Sequence, residues 1–515
     1  MTRPRPTASA SPGRLRAALP DLIAGTSVAL VLIPQSLAYA ELAGMPPERG
    51  LYAATIPLLV AAPLASSPYL QTGPVAITSL LTFGALSTLA QPGSDEYVAL
   101  GLLLALVVGA VRVAVGLLRA GVIAYLMSQP MLLGFVPAAA VLIVASQLPS
   151  ALGVEPPAGG VLEQFVWTLA HPGAWRLTAI ALAAGTLALM LGGRRLHPLF
   201  PGVLVAVAIA AAVSPLLGYR GEVVGDITVG LPPLSLDLPF AALGTLLIPG
   251  AVIALVGFAE PASIARAFAA EDRKTWDADR EFVSQGAANV AAGLTGAFPV
   301  GGSFSRSSLN RLAGARTRWS GAVTGVVVLA FLPVAGLLGP LPVAVLGALV
   351  IGAALSLIEL GPIFRLWPHS RPQFAVAAGT FALCLALAPR LDRAVLIGFA
   401  LALVIHLVRE LRIDLREWTD GDTLHLRPSG VLWFGAAQDL EDRFLRRLAQ
   451  HPEARRLVIH LDGLGRIDVT GALALHTVLE RARSSGLEAD VEGVQPRDRR
   501  LVDGIVCPRG EPLAP

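Results

Sequence analysis

Three charged side chains lie within or beside long apolar stretches of the 515-residue chain: Glu41, Glu260 and Arg306. Glu260 stands halfway along "AVIALVGFAEPASIARAFA", and Arg306 belongs to "GAFPVGGSFSRSSLNRLAG". If such stretches cross a membrane, a charged group inside them is costly and usually faces a cavity or an ionic partner. These residues therefore predict ion binding. The alternatives are that Glu41 is an interfacial residue at a helix end, that Glu260 is structural and that Arg306 lies in an exposed loop.

Helix-breaking residues cluster beside these charged groups. Gly73 and Pro74 open "GPVAITSL", and "PVGGSFSRSSLN" begins with Pro299, followed by a glycine pair. Pro34 and Gln35 stand in the first apolar stretch, which we expect them to interrupt. Proline suits the first turn of a helix, and glycine lets the backbone turn or approach a ligand. Unwound backbone at membrane depth is tolerated only where protein or a water-filled cavity surrounds it.

The polar and helix-breaking residues follow a similar spacing in the two halves of the chain. Thr72 follows Gln35 by 37 positions, and Ser303 follows Glu260 by 43 positions. Corresponding interrupted segments indicate a transporter site built from repeats. If both short helices begin near the bilayer midplane, their N-termini face each other. Free N–H groups and positive dipole ends would then form a site for an anion.

The second of these short helices carries polar side chains that suit such a site. Ser303 or Ser305 is expected to cap the helix through its hydroxyl group. Arg306 would add positive potential to the positive end of the helix dipole. An anion bound there would need no fully buried counter-charge.

The composition places these residues in a membrane protein. The sequence is 54% hydrophobic and 15% charged, whereas soluble domains usually carry about 25% charged residues. Apolar segments that approach the roughly 20 residues of a bilayer span recur up to residue 410. We predict membrane segments, of which the third and tenth are too short to cross alone, at 20–40, 51–66, 74–90, 97–118, 122–146, 174–192, 199–217, 246–268, 281–298, 303–313, 317–338, 341–359, 372–388 and 392–410.

The distribution of basic residues predicts the orientation of these segments. Residues 1–19 are polar and basic, lack the apolar core of a signal peptide and are interpreted as a cytoplasmic tail. With this tail inside, most arginine and lysine residues of the connections also lie inside, which predicts that both termini are cytoplasmic. The net charge of +3 then reflects topology rather than nucleic-acid binding. Two cysteines form neither a disulfide framework nor a metal site, and we expect no cofactor.

The character of the sequence changes after the membrane domain, 20–410. We predict a linker at 411–420 and a small soluble domain at 421–515. In this domain the strand-like "RRLVIHLDGLGRIDVTG" precedes the helical "ALALHTVLERARSSG". Alternation of strands and helices predicts a small α/β domain.

Four stretches resemble a known family of anion transporters. In chain order they are the region from "IPQSLAYAELAGMPPERG" to "QTGPVAITSL", then "GFAEPASIARAFA", "FVSQGAANVAAGLTGAFPVGGSFSRSSLNRLAGART" and "RLVIHLDGLGRIDVTGALAL". The first three resemble motifs of the sulfate permease (SulP) family, and the last resembles its STAS domain. The resemblance implies an α-helical polytopic membrane protein with 14 membrane segments in two inverted seven-segment repeats. It further implies a core domain, a gate domain and a cytoplasmic α/β STAS domain.

The resemblance also implies a substrate site between the third and tenth segments. On matching positions, and with Ser303 added from its place before the tenth segment, the site comprises Gln35, Tyr39, Thr72, Val75, Ser303, Ser305 and Arg306. Family members that use sodium have an aspartate where this chain has Glu260. This departure favours proton coupling, because a carboxylate can alternate between charged and neutral forms. Glu41 is the second candidate for the proton site.

The leading hypothesis is secondary active anion transport with both termini cytoplasmic in a bacterial inner membrane. The resemblance favours proton-coupled symport of a dicarboxylate such as fumarate, by an elevator motion of the core domain in a homodimer. The alternatives are a passive anion channel, transport of sulfate or bicarbonate, and a sensor that signals through the C-terminal domain. An intramembrane enzyme is disfavoured, because the serines lack an accompanying histidine and aspartate arrangement.

Overall fold

The computed structural model describes residues 14–123, 128–196, 200–216, 218–225, 227 and 230–506. Most of the predicted tail at 1–19 and the last residues of the predicted soluble domain, 507–515, lie outside the described residues. The chain forms two compact units, residues 1–400 and residues 401–515.

The first unit is helical, and each of the fourteen predicted segments has a counterpart among its described residues. Its first half contains α1 Arg14–Leu42, α2 Pro47–Ala53, α3 Ile56–Leu64, α4 Ala76–Leu86, α5 Asp95–Leu117, α6 Gln129–Leu152, α7 Val161–Ala170, α8 Leu177–Leu196 and α9 Gly202–Leu216. Its second half contains α10 Leu243–Glu271, α11 Ala278–Leu294, α12 Phe304–Leu312, α13 Trp319–Phe331, α14 Val343–Leu355, α15 Gly361–Leu366, α16 Arg371–Ala386 and α17 Leu391–Glu410, which runs into the second unit. Six of the described helices are long and apolar enough to cross a membrane alone.

The predicted interruption of the first segment is wrong, because α1 runs unbroken through Pro34 and Gln35. A proline removes one helical hydrogen bond, and membrane helices tolerate this where side chains satisfy the backbone. The helix also begins at Arg14 rather than at residue 20, so the end of the predicted tail is helical.

One other predicted segment differs from the structure in continuity. The segment at 51–66 is divided into α2 and α3. In contrast, α10 is continuous although Pro261 follows Glu260. Two short helices, α7 and α15, were not predicted.

The two halves of the first unit meet along α5 and α11. A Cβ atom added at Gly109 would lie 2.6 Å from the backbone nitrogen of Val290, and one added at Gly286 would lie 2.7 Å from that of Val113. Small residues of this kind allow membrane helices to approach closely. The residues of α11 therefore lie near the interior of the unit.

Two very short strands lie side by side in the same interior, and we call the place where they pair the crossing. β1, Thr72–Gly73, pairs antiparallel with β2, Gly301–Gly302. Both glycines of β2 are packed: a Cβ at Gly302 would lie 2.8 Å from Leu70, and one at Gly301 would lie 3.2 Å from Val75. Each strand leads into a short helix, β1 into α4 and β2 into α12, as the internal symmetry of the sequence predicts.

The second unit is the predicted α/β domain. Its strands are β3 Asp414–Asp420, β4 Thr423–Leu432, β5 Arg456–His460, β6 Leu464–Ile467 and β7 Glu488–Glu492, and its helices are α18 Ala437–Gln450, α19 Val469–Ser484 and the short α20 Arg499–Leu501. The sheet order is β3-β4-β5-β7, with β6 beside β4. Buried aliphatic residues and Phe444 fill the space between the sheet and the helices.

The predicted linker at 411–420 is wrong for most of its length. Residues 414–420 form β3, which pairs antiparallel with β4 along its whole length. Its side chains are mostly exposed, so the sequence lacks the apolar alternation of an inner strand. The soluble fold therefore begins before residue 421.

Candidate functional site

The starts of two short helices lie at the crossing of β1 and β2. The strand register pairs Thr72 with Gly302 and Gly73 with Gly301. Helix α4 begins three residues after β1, and α12 begins two residues after β2. Because the strands are antiparallel and each continues into its helix, the two N-termini approach from opposite sides. The crossing therefore presents two positive helix ends to one place.

Arg306 lies in the first turn of α12 and is 1% exposed. Within the described residues, none of its three guanidinium nitrogens has a hydrogen-bond partner. The group lies against β1, since a Cβ atom built on Gly73 would be 3.4 Å from Arg306 Nη2. A buried guanidinium group without hydrogen-bond partners is strongly unfavourable, whereas guanidinium groups bind oxyanions through paired hydrogen bonds. The arrangement suits a site whose anion completes the hydrogen bonding.

Glu260 reaches the same helix start from α10. Its Oε1 accepts a hydrogen bond of 3.0 Å from the backbone N–H of Phe304, the first residue of α12. Glu260 also interacts electrostatically with Arg306. The carboxylate thus occupies one of the N–H groups that a free helix end offers to an anion.

Helix α1 contributes Gln35 and Tyr39, which lie one turn apart. Their exposed fractions are 7% and 5%. Oε1 of Gln35 has no hydrogen-bond partner among the described residues. Tyr39 is within electrostatic range of Arg306 and Glu260. The structure therefore brings Tyr39 to Arg306 and Glu260, and Gln35 lies one turn away on the same side of α1.

The remaining predicted residues lie at the strand–helix junctions. Thr72 is in β1, and Val75 is the extended residue directly before α4. Ser303 holds the corresponding position before α12, but its hydroxyl group makes no capping hydrogen bond. The hydroxyl oxygens of Ser303 and Ser305 lie 3.3 Å apart. The expected serine cap is therefore absent at Ser303, and the Glu260 carboxylate accepts from the helix start instead.

Glu41 lies apart from this group. Residues two positions apart on a helix are rotated by about 200° about its axis. Glu41 and Tyr39 therefore point to different sides of α1. Glu41 Oε1 accepts a hydrogen bond of 3.3 Å from Ser150 Oγ on α6. Ser150 also lines a small cavity with Tyr219 and Glu222. The two predicted carboxylates thus belong to different places.

Two amide side chains of α11 hold the crossing strands, and sequence reasoning missed them. Gln285 Nε2 donates to Thr72 Oγ1 at 2.7 Å. Asn289 Nδ2 donates to the carbonyl of Val300 at 3.0 Å, and the N–H of Val300 donates to Asn289 Oδ1 at 2.9 Å. One helix therefore fixes both halves of the site. The signal was four buried polar residues in one predicted span: Glu281, Ser284, Gln285 and Asn289.

Arg112 on α5 was also missed, although it meets the criterion that identified Arg306. It stands inside the predicted span 97–118 and is 0% exposed. Its guanidinium group donates to the carbonyls of Ala254, Val300 and Ile253 at 3.0, 3.0 and 3.3 Å. Arg112 thus ties α5 to α10 and to the residue before β2.

Together these groups combine hydrogen-bond donors with a carboxylate acceptor at one place. The helix ends and Arg306 supply donors, and Glu260 supplies an acceptor that can change charge. Within the described residues, no group of three or more histidine, cysteine, aspartate and glutamate side chains is placed to hold a metal ion.

Residues 19–380 match the model of the sulfate permease family, and residues 417–505 match that of the STAS domain. A probable sulfate transporter of Mycobacterium tuberculosis is 37% identical over 381 residues, which are 71% of this chain and 66% of that protein. A chloroplastic sulfate transporter of Arabidopsis thaliana is 33% identical over 75% of this chain and 58% of its own length. The chain thus spans about two thirds or less of the length of these relatives.

Two solved structures have the same fold at low sequence identity. The murine anion transporter Slc26a9 in its inward-facing state has a TM-score of 0.86 and 18% identity, over 97% of this chain and 92% of the other. The transmembrane domain of the cyanobacterial bicarbonate transporter BicA has a TM-score of 0.63 and 23% identity, over 75% of this chain and 97% of the other. The predicted transporter fold with a C-terminal STAS domain is therefore confirmed.

Proposed function

Because the chain belongs to the sulfate permease family, we propose that it is a secondary active anion transporter whose substrate binds between the N-termini of α4 and α12. The observation that carries this proposal is Arg306, a buried guanidinium group with no hydrogen-bond partner among the described residues. An oxyanion would satisfy its nitrogens and the free N–H groups of both helix ends at once.

Sulfate is the first candidate substrate. The sequence resemblance favoured a dicarboxylate such as fumarate, but the relatives of highest identity given above are named sulfate transporters. Both anions are divalent oxyanions and suit the same donors. Bicarbonate is the principal monovalent alternative.

Proton coupling follows from the position of Glu260 in this proposal. A charged Glu260 accepts the first N–H of α12 and repels an approaching anion. Protonation removes the repulsion and leaves the positive charge of Arg306 for the substrate. A proton and an anion would then occupy the site together and cross the membrane together, as symport requires.

The family resemblance supplies the larger motion of the proposal. The crossing strands and short helices belong to a core domain that carries the site across the membrane against a gate domain. The protein acts as a homodimer in the inner membrane of a bacterium, with both termini in the cytoplasm. Accessibility of engineered single cysteines to a membrane-impermeant reagent tests this orientation.

Uptake of labelled anions into proteoliposomes tests the function. Wild-type protein is expected to accumulate sulfate faster when the outside is acidic, and competition by fumarate and bicarbonate ranks the alternatives. Uptake that ignores the imposed proton gradient would reject the coupling, and large unitary currents would identify a channel.

The Glu260→Gln variant tests the coupling residue. Glutamine keeps an oxygen for the Phe304 N–H but cannot change charge. We expect anion binding to persist and the response of uptake to the proton gradient to disappear. A variant that still responds to the gradient would exclude Glu260 as the proton carrier.

A further inference from the structure

Arg112 is a second buried positive charge close to the proposed anion site. Its three hydrogen bonds all go to main-chain carbonyl oxygens, and no ion pair found among the described residues includes it. Carbonyl dipoles satisfy the donors of a guanidinium group, but they do not neutralise its net charge. The charge of Arg112 therefore acts on its surroundings.

Packing places this charge directly behind the crossing strands. A Cβ atom added at Gly257 of α10 would lie 2.8 Å from Arg112 Nη2 and 3.0 Å from Thr78 Cγ2 on α4. Arg112 also binds the carbonyl of Val300, the residue before β2. Thus Arg112 adjoins the elements that carry both helix ends, without belonging to the surface that receives the substrate.

The charges around the crossing do not balance. Arg306 and Arg112 contribute two positive charges, and Glu260 contributes one negative charge only when ionised. The nearest buried carboxylate on α11, Glu281, binds the N–H groups of Ser66 and Ser67 instead. Glu281 lies eight residues before Asn289, or about 12 Å along the helix. With Glu260 protonated, the crossing carries an excess of two positive charges.

We propose that Arg112 is a specificity-determining residue, a fixed charge behind the site that makes it prefer divalent to monovalent anions. This inference rests on the proposed function, because it places the substrate at the β1–β2 crossing. Removing a unit charge weakens the binding of a dianion more than that of a monoanion. For charges about 10 Å apart at an effective dielectric constant near 20, the difference is about tenfold.

Sulfate and perchlorate provide the matched probes, since both are tetrahedral oxyanions of similar size and they differ by one charge. Binding of each anion to purified full-length protein is measured by its stabilisation against thermal unfolding. The variants are Arg112→Gln, which removes the charge, and Arg112→Lys, which keeps it. Asn289→Ala is the structural control, because it loosens the same Val300 carbonyl without changing any charge.

Arg112→Gln is expected to lower the preference for sulfate over perchlorate about tenfold. Arg112→Lys and Asn289→Ala should keep the preference within about twofold of the wild type, even where both anions bind more weakly. An unchanged preference in Arg112→Gln, or a tenfold change in either of the other variants, would overturn the proposal. If Arg112→Gln does not fold, a tenfold change of the preference in either of the other two variants would still overturn the proposal.

The same measurement separates this inference from the proposed function. Thermal stabilisation reports binding and needs no transport. Charge-dependent binding without uptake in proteoliposomes would reject secondary transport and support the role of Arg112. Uptake of sulfate, with a preference over perchlorate that Arg112→Gln leaves unchanged, would support secondary transport and reject the role of Arg112.

Discussion

The surroundings of the two fully buried arginines differ in every respect except burial. Arg112 is enclosed by α5, α10 and the residue before β2, and its guanidinium group donates to three carbonyls. Arg306 is enclosed at the start of α12, and its nitrogens have no partner within the described residues. Both side chains are at most 1% exposed.

The difference separates a structural role from a binding role. A buried polar group contributes to stability when its hydrogen bonds are complete and opposes stability when they are not. Arg112 therefore helps to hold the fold, whereas the unpartnered guanidinium group of Arg306 opposes its stability. Such a residue is expected at a site that a ligand completes.

Replacement of Arg306 should have the largest effect on transport. We expect Arg306→Leu to lower sulfate uptake at least about a hundredfold, since two or more charge-assisted hydrogen bonds to the anion are lost. The thermal unfolding temperature should stay equal or rise, because no protein hydrogen bond is broken. An Arg306→Leu variant that loses stability and keeps uptake would show that Arg306 has a structural role and not a binding role.

Replacement of Arg112 by leucine should have the opposite pattern of effects, with a larger loss of stability than Arg306→Leu and a smaller loss of uptake. Arg112→Leu removes three hydrogen bonds from a buried guanidinium group to main-chain carbonyls, which is expected to reduce the free energy of unfolding by about 3 kcal/mol or more. Thermal unfolding of the two leucine variants side by side measures the contrast. Equal stability of the two would show that the hydrogen bonds of Arg112 contribute nothing measurable.

Removal of the side chain of Asn289, which supports β2, should have an intermediate effect on sulfate binding. Asn289→Ala breaks two hydrogen bonds to Val300, and we expect sulfate affinity to fall about tenfold through loss of a fixed strand position. Hydrogen exchange at the amides of β2 should quicken in parallel. Weaker binding with unchanged exchange would argue against a positioning role.

The smallest effect is expected at Glu41. Its carboxylate interacts with Ser150 on α6, away from Arg306, so Glu41→Gln should change sulfate affinity by less than about twofold. Uptake with and without a proton gradient completes the test. If this variant loses the gradient response while Glu260→Gln keeps it, Glu41 carries the proton.

Sequence reasoning located the membrane segments and singled out candidate residues for a site, because these leave local signals. Glycine, proline and charged residues within apolar runs are visible without a structure, as Gly73 and Arg306 illustrate. The continuity of α1 through Pro34 was not predictable in this way, because it depends on neighbouring groups that satisfy the backbone. Likewise, β3 carries mostly exposed side chains and resembles a linker until its partner strand is known.

The residues that hold the crossing strands in place show a different limit of prediction from the sequence. Gln285 and Asn289 stand out as polar residues in an apolar span, but their partners are more than ten residues away or in the other half of the chain. Arg112 and Arg306 look alike in the sequence as single arginines in apolar surroundings. Only the contacts of each guanidinium group distinguish them.

The position of a bound oxyanion in a crystal decides whether the substrate binds between the two helix ends. Selenate is a divalent tetrahedral analogue of sulfate, and its selenium atom can be located by anomalous diffraction from crystals of the full chain. We expect a selenium peak between the N-termini of α4 and α12, within hydrogen-bonding distance of Arg306. A peak at another place in the membrane unit, with Arg306 still unpartnered, would contradict it.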